Sequence, residues 1–112
     1  MSDFEQVIGY IPGTIGRVAE LHALYYSKNW GFGEYFEAKV ATELSEFISS
    51  YDQEKDRIFS LLIDGKIEGS ISIDGTSEDE NIAHLRWFIV SDQLRGKGAG
   101  NYLMKQAMTF CK

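Results

Sequence analysis

Residues 84–90 read HLRWFIV, residues 91–101 read SDQLRGKGAGN, and residues 102–112 read YLMKQAMTFCK; the order of these three blocks decides the fold. The first is a strand pattern: Leu85, Trp87, Phe88, Ile89 and Val90 form a β-branched and aromatic run bounded by Ser91-Asp92. The third is a helix pattern, with Leu103, Met104, Ala107, Met108 and Cys111 recurring at the spacing of one helical face. Between them Gly96, Gly98 and Gly100 strip side chains from the place where the first N–H groups of the helix emerge without partners. Free N–H donors and the positive end of the helix dipole then face one opening, which suits an anion. Arg95 and Lys97 add positive charge at the same spot. The residues predict a phosphate cradle at a strand-to-helix turn.

Three phosphate-binding patterns separate on spacing. A Walker loop needs Gly-Lys followed by Ser or Thr and another Gly five residues before the Lys, but Lys97 is followed by Gly98 and preceded by Asp92 at that distance. A dinucleotide fingerprint counted from Gly96 needs Gly or Ala at 101, where Asn101 stands, and an acidic residue that would fall beyond Lys112. The third pattern, Arg/Gln-x-x-Gly-x-Gly/Ala after a strand, is met at every fixed position by Arg95, Gly98 and Gly100. With LRWFIV before it and YLM after it, this stretch resembles the GNAT family of acetyl-CoA-dependent N-acetyltransferases. The wording LRWFIV…LRGKGAG, with WGFG and FEAKVA upstream, is most similar to the acetyltransferase half of fusions between a MarR-type regulator and a GNAT domain.

The resemblance implies a function and a site. The turn's N–H groups, here the backbone of Gly96, Lys97, Gly98, Ala99, Gly100 and Asn101, would hold the coenzyme A pyrophosphate, with Arg95 beside them. Phe88, Ile89 and Val90 would pair with the pantetheine arm as if it were a further strand. A backbone N–H near Ile89 or Val90 would stabilise the oxyanion. The position at which some members keep a catalytic Glu falls on His84, whose ordinary pKa of about 6.5 suits a general base. The same residue also reads as a solvent-exposed strand end, and many members use water chains instead. The implied fold is α/β (α+β), a mixed and mostly antiparallel sheet in the order β-α-α-β-β-β-α, the N-terminal portion of the GNAT fold. The family's C-terminal β-α-β-β, with a Tyr that often protonates the leaving thiolate, is expected to be absent. The expectation is therefore a single truncated domain over residues 1–112, either part of a longer protein or a homodimer in which each copy covers the other's open strand edge.

Upstream, Gln6 to Tyr10 reads as a first strand ended by Pro12-Gly13. Thr14 is the expected N-cap of a helix whose buried stripe runs through Ile15, Val18, Ala19, Leu21, Leu24 and Tyr25. His22 is expected on that helix's surface or boundary. Trp30-Gly31-Phe32-Gly33 breaks the helix, and Trp30, Phe32, Tyr25 and Tyr26 either line an acceptor pocket or anchor the loop. A second helix is predicted over 34–49, with Glu34 and Glu37 at its N-terminus and Phe36, Val40, Leu44, Phe47 and Ile48 buried. Arg57 to Ile63 is a strand, Asp64-Gly65 a hairpin turn, and the partner alternates Ile67, Gly69, Ile71 and Ile73 with polar residues, which predicts one buried face. The acids between Asp74 and Glu80 form a solvated loop or attract a cationic amine.

Composition sets the outer bounds. With 112 residues, 44% hydrophobic and 13% aromatic, the chain is one globular domain that needs no metal or disulfide to fold. Its single cysteine, Cys111, excludes an internal disulfide and is expected to pack on the last helix. No apolar run approaches a membrane span and no signal core opens the chain, so a soluble cytoplasmic protein is expected. A net charge of −6, from 17 acids against 11 bases, argues against direct nucleic-acid binding. The sequence thus supports an N-acetyltransferase using acetyl-CoA and a small-molecule or peptide amine. The alternative is a catalytically incomplete acyl-CoA-binding or regulatory module that keeps the cradle, and a domain whose glycines only pack the helix is a third reading.

Overall fold

Asp64-Gly65 closes the central hairpin as its sequence predicts. In the computed structural model, which describes residues 4–75 and 83–111, the two residues take φ of 52° and 80°, the left-handed conformations that a two-residue type I′ turn demands. They join β2 (Arg57–Ile63) to β3 (Lys66–Asp74). β4 (His84–Val90) pairs antiparallel with β3, and β1 (Glu5–Ile8) with β2, so the sheet order is β1-β2-β3-β4. Helices α1 (Thr14–Trp30), α2 (Glu34–Ser49) and α3 (Ala99–Phe110) complete an α+β fold in the expected order.

Helices cover both faces of the sheet. α3 lays Ala99, Leu103 and Ala107 on Phe59, Leu61, Ile71 and Ile73. α1 and α2 cover the opposite face, where Val18, Val40, Leu44 and Phe47 pack with Ile58 and Trp87. Each fully buried Leu or Ile contributes about 1.5–3 kcal/mol through removal from water. The prediction of one buried face on β3 is therefore corrected, since Glu68, Ser70 and Ser72 are buried as well. Small hydroxyl residues fit beneath the helix pair because they satisfy one another, as in the 3.3 Å contact between the Ser60 and Ser70 hydroxyls.

A bulge in β4 sets what the strand presents. Ser70 pairs with Ile89 and Ser72 with Arg86, so Ile71 faces both Trp87 and Phe88. Trp87 takes φ 50°, a left-handed conformation rare for a bulky residue. As a result Arg86 and Trp87, although consecutive, both meet α2: Arg86 pairs with Glu43, and the Trp87 ring lies 5.4 Å from that of Phe47. The alternation then resumes with Phe88 and Val90 toward α3 and Ile89 toward α1.

Several local expectations are corrected. The first strand covers Glu5–Ile8. Thr14 does not cap α1: Gly13 does, and the Thr14 hydroxyl instead donates to the Ile11 carbonyl and accepts from the Ile11 N–H. Leu24 is 60% exposed while His22 is 5% exposed. The stripe facing the sheet runs through Val18, Leu21, His22 and Tyr25, and His22 stands one turn after Val18, whose carbonyl accepts its Nδ1–H at 2.8 Å. Cys111 lies just past the end of α3 and is exposed. Of the acidic stretch, residues 76–82 lie outside the described residues.

Candidate functional site

The turn after β4 is built on one buried anchor. Leu94 is fully buried beside Ala99 and Leu103, which fixes the loop to the face of the sheet beneath α3. Around it the Ser91 carbonyl accepts from the N–H groups of Leu94 and Arg95, and the Leu94 carbonyl from that of Lys97, each at 3.1 Å. Gly96 and Gly98 take φ of 82° and 77°, conformations in which a side chain is strained. The space where their Cβ atoms would stand is open to at least 4 Å. Gly100 serves packing instead. A Cβ there would meet Phe88 Cζ at 3.5 Å, so its small size seats α3 against β4.

These bends leave donors bare. Gly98 caps α3 without any side-chain hydrogen bond, and the first turn holds no acidic residue. Among the described residues, the N–H groups of Gly96, Gly98, Ala99, Gly100 and Asn101 donate to no protein acceptor. A sequence of unpaired donors at a helix N-terminus, uncovered by side chains, can seat a phosphate or pyrophosphate.

Among the described residues β4 is an edge of the sheet, and the edge leads into this turn. Its outward side is shown by Val90, whose carbonyl accepts from Arg95 Nη2 at 2.9 Å rather than from β3. Because the backbone groups of one strand residue share a direction, the Val90 N–H opens on the same side. A cavity of 280 Å³ borders Phe88, Ile89 and Val90 and is walled by Tyr25 and Tyr26 of α1. A second groove, of 360 Å³, runs on between α1 and the start of β3, sharing Tyr25, Val90 and Arg95 with the first. Arg95 stands at the junction, bonded to Val90 and Asp92 and with its guanidinium 5.4 Å from the centre of the Tyr25 ring.

The sequence profile of the acetyltransferase (GNAT) family matches residues 15–112. The chain belongs to this family. No curated protein matches it in sequence. Among solved structures it is similar to a GNAT-family protein from Desulfovibrio desulfuricans, with a TM-score of 0.76, 14% identity and coverage of 96% of this chain and 65% of that one. A GNAT acetyltransferase from Staphylococcus aureus gives 0.67, 16%, 96% and 66% by the same measures. An acetyltransferase from Streptococcus agalactiae gives 0.67, 20%, 98% and 66%. The chain thus spans about two thirds of the length of these structures, and at such identities they establish the GNAT fold alone.

Within this GNAT fold the residues predicted for the coenzyme fall together: Phe88, Ile89 and Val90 on the free edge, and Arg95 to Asn101 at its end. His84 falls elsewhere. It opens β4 opposite Asp74, is exposed, and lines neither cavity beside Val90. Trp30 and Phe32 are 65% and 45% exposed and line neither cavity beside Val90, and the Phe32 ring stacks 5.8 Å from that of Tyr26. Sequence reasoning missed the Trp87 bulge, the Leu94 anchor and an ion pair beneath α1. There Arg17 donates to Glu68 Oε1 at 2.9 Å and to the Ile67 carbonyl at 2.7 Å. Leu94 alone left a usable signal, an isolated Leu in a polar turn. His22 is held neutral: burial pushes its pKa below 6.5 and outweighs the bond to the Val18 carbonyl.

Proposed function

We propose that this chain binds acetyl-CoA across the N-terminus of α3 and the free edge of β4 and transfers the acetyl group to a primary amine. The observation that carries the reading is the set of unpaired N–H donors at Gly96 and at Gly98, Ala99, Gly100 and Asn101, continuous with an open strand edge at Phe88, Ile89 and Val90. The donors suit the pyrophosphate, and the edge offers backbone pairing to the amide-bearing pantetheine arm. In the transfer the neutral amine nitrogen attacks the thioester carbonyl carbon, the C–S bond breaks, the amine gives up a proton and the thiolate takes one. The Val90 N–H, open on the same edge, suits the transient oxyanion. Arg95 must leave the Val90 carbonyl for that acceptor to pair with an incoming amide, and it then lies beside the phosphates. The narrower kinship to MarR-fused domains is part of this proposal and rests on the wording of residues 30–33, 36–41 and 85–100.

Calorimetric titration with acetyl-CoA, followed by an amine screen reading release of free thiol, tests the proposal. Binding with thiol release that depends on amine supports it. Binding without turnover assigns the chain to the acyl-CoA-binding class instead, and no binding by the folded chain overturns both.

A further inference from the structure

We infer that the 360 Å³ groove beside Arg95 holds the anionic end of an acceptor that carries both an amine and a carboxylate or phosphate. This deepens the acetyltransferase reading and rests on it. The charge of the groove is opposite to that of the chain. Arg17, Lys28, Lys66 and Arg95 line it against Glu68 and Asp92, a surplus of two positive charges on a protein of net −6. Both acids are already engaged, Glu68 by Arg17 and Asp92 by Arg95. Among the described residues no carboxylate lies within ion-pair distance of Lys28 or Lys66. Position in the fold accounts for one of them, since Lys28 sits in the last turn of α1, where the helix dipole favours a cation. It does not account for Lys66, which opens β3 on the far wall of the same groove. Two unpaired ammonium groups converge on one space, so a ligand anion there gains two partners and displaces none.

The groove's position gives the ligand a direction. It joins the cavity along Phe88, Ile89 and Val90 through shared walls at Tyr25, Val90 and Arg95. A molecule with its anion at Lys28 and Lys66 directs its other end along Tyr25 toward the strand edge, where the amine meets the thioester. Leu21 and Leu24 supply an apolar wall between the two ends, so a short aliphatic spacer is accommodated. In the proposed reading the acetyl-CoA phosphates belong to the cradle at Gly96–Asn101, whose residues do not line this groove.

The test compares amines that differ only in the anion. Leucine and leucinamide, and phosphoethanolamine and ethanolamine, are titrated into the isotopically labelled chain in the presence of coenzyme A, reading backbone amide shifts. The member that carries the carboxylate or phosphate in at least one pair is expected to shift Tyr25, Lys28 and Lys66, and the member that lacks it to bind more weakly by about tenfold. Which pair responds distinguishes a carboxylate from a phosphate acceptor. The variant K28Q/K66Q, with changes at exposed positions, is expected to lose this preference while its acetyl-CoA affinity stays unchanged. Equal binding of the two members in both pairs overturns the inference. So does loss of acetyl-CoA affinity in K28Q/K66Q, which would assign the lysines to the coenzyme. A separate acetyl-CoA titration that leaves Gly96–Asn101 unshifted refutes the underlying acetyltransferase reading, whatever the amines do.

Discussion

Helices α2 and α3 begin alike and end up with opposite chemistry. Each follows a glycine, Gly33 or Gly98, that offers no capping side chain. α2 answers its own dipole with Glu34 and Glu37 in the first turn, and any further anion there meets two negative charges. α3 has no acid in its first turn, carries glycine at its second position, and is approached by Arg95 and Lys97. The backbones differ too: Gly33 is extended, a conformation open to any residue, while Gly98 is left-handed with φ 77°. An uncapped helix start is therefore no site in itself. It becomes one where neighbouring residues leave its donors bare and add no negative charge.

The largest effect expected from breaking this contrast comes from Gly98→Val. A branched side chain in the left-handed region costs about 1–3 kcal/mol and stands over the donors, so acetyl-CoA affinity is expected to fall at least about tenfold. Gly33→Val, at the extended position, is expected to leave that affinity unchanged; circular dichroism of both variants controls for folding, and calorimetry reads the binding.

Next in size is the effect of pH, where the two histidines differ as the two helices do. Burial lowers the pKa of His22, whereas His84 is exposed. Above pH about 6.5 His22 is neutral in the folded and unfolded chains alike and its contribution to stability is fully present. As pH falls below that value the unfolded chain takes up a proton that the folded one refuses. Stability then drops by up to about 1.4 kcal/mol per pH unit until the folded pKa is passed. Urea melts between pH 7.5 and 5 are expected to show this slope in the wild type and a shallower one in His22→Leu.

A smaller effect sharpens the helix comparison. Asn101→Glu gives α3 an acid in its first turn, as in α2. It is expected to stabilise the helix by about 0.3–1 kcal/mol while weakening acetyl-CoA binding by a few-fold, and salt should diminish both effects. Thermal melts and titrations at two ionic strengths check the opposing signs. The least change is expected from His84→Ala. Four residues along a strand separate His84 from Phe88, on the order of 13 Å, beyond reach of a proton at the strand edge. The pH–rate profile of acetyl transfer is expected to stay as in the wild type; loss of its acid-side limb would restore His84 as the base.

What could be read from the chain follows from how local each feature is. The hairpin at Asp64-Gly65, the helix over 34–49 and the cradle from Gly96 are written in adjacent residues, because turn chemistry, helical spacing and a bare helix start act over a few positions. The proposed coenzyme edge at Phe88, Ile89 and Val90 was implied by the resemblance to the family alone. Features that depend on two distant segments were not legible. Trp87 adopts a conformation that favours glycine because Phe47 of α2 offers its ring a place, and no local signal marks that. His22 looks like a surface residue until Val18 and the sheet enclose it. The polar face of β3 reads as solvent-facing, yet α1 and α2 cover it. The cationic groove draws on α1, β3 and the loop after β4, and sequence spacing relates none of these to the others.

The proposed function turns on α3, and not α2, presenting its N-terminus to the phosphates of acetyl-CoA. Titrating acetyl-CoA into the isotopically labelled chain, while following backbone amides at both helix starts, puts the two side by side. Saturable shifts are expected at Gly96, Gly98, Ala99, Gly100 and Asn101, with Phe88 and Val90 moving in step, and none at Glu34–Glu37. Shifts absent from Gly96–Asn101, or as large at the start of α2, would show that the cradle does not bind the coenzyme.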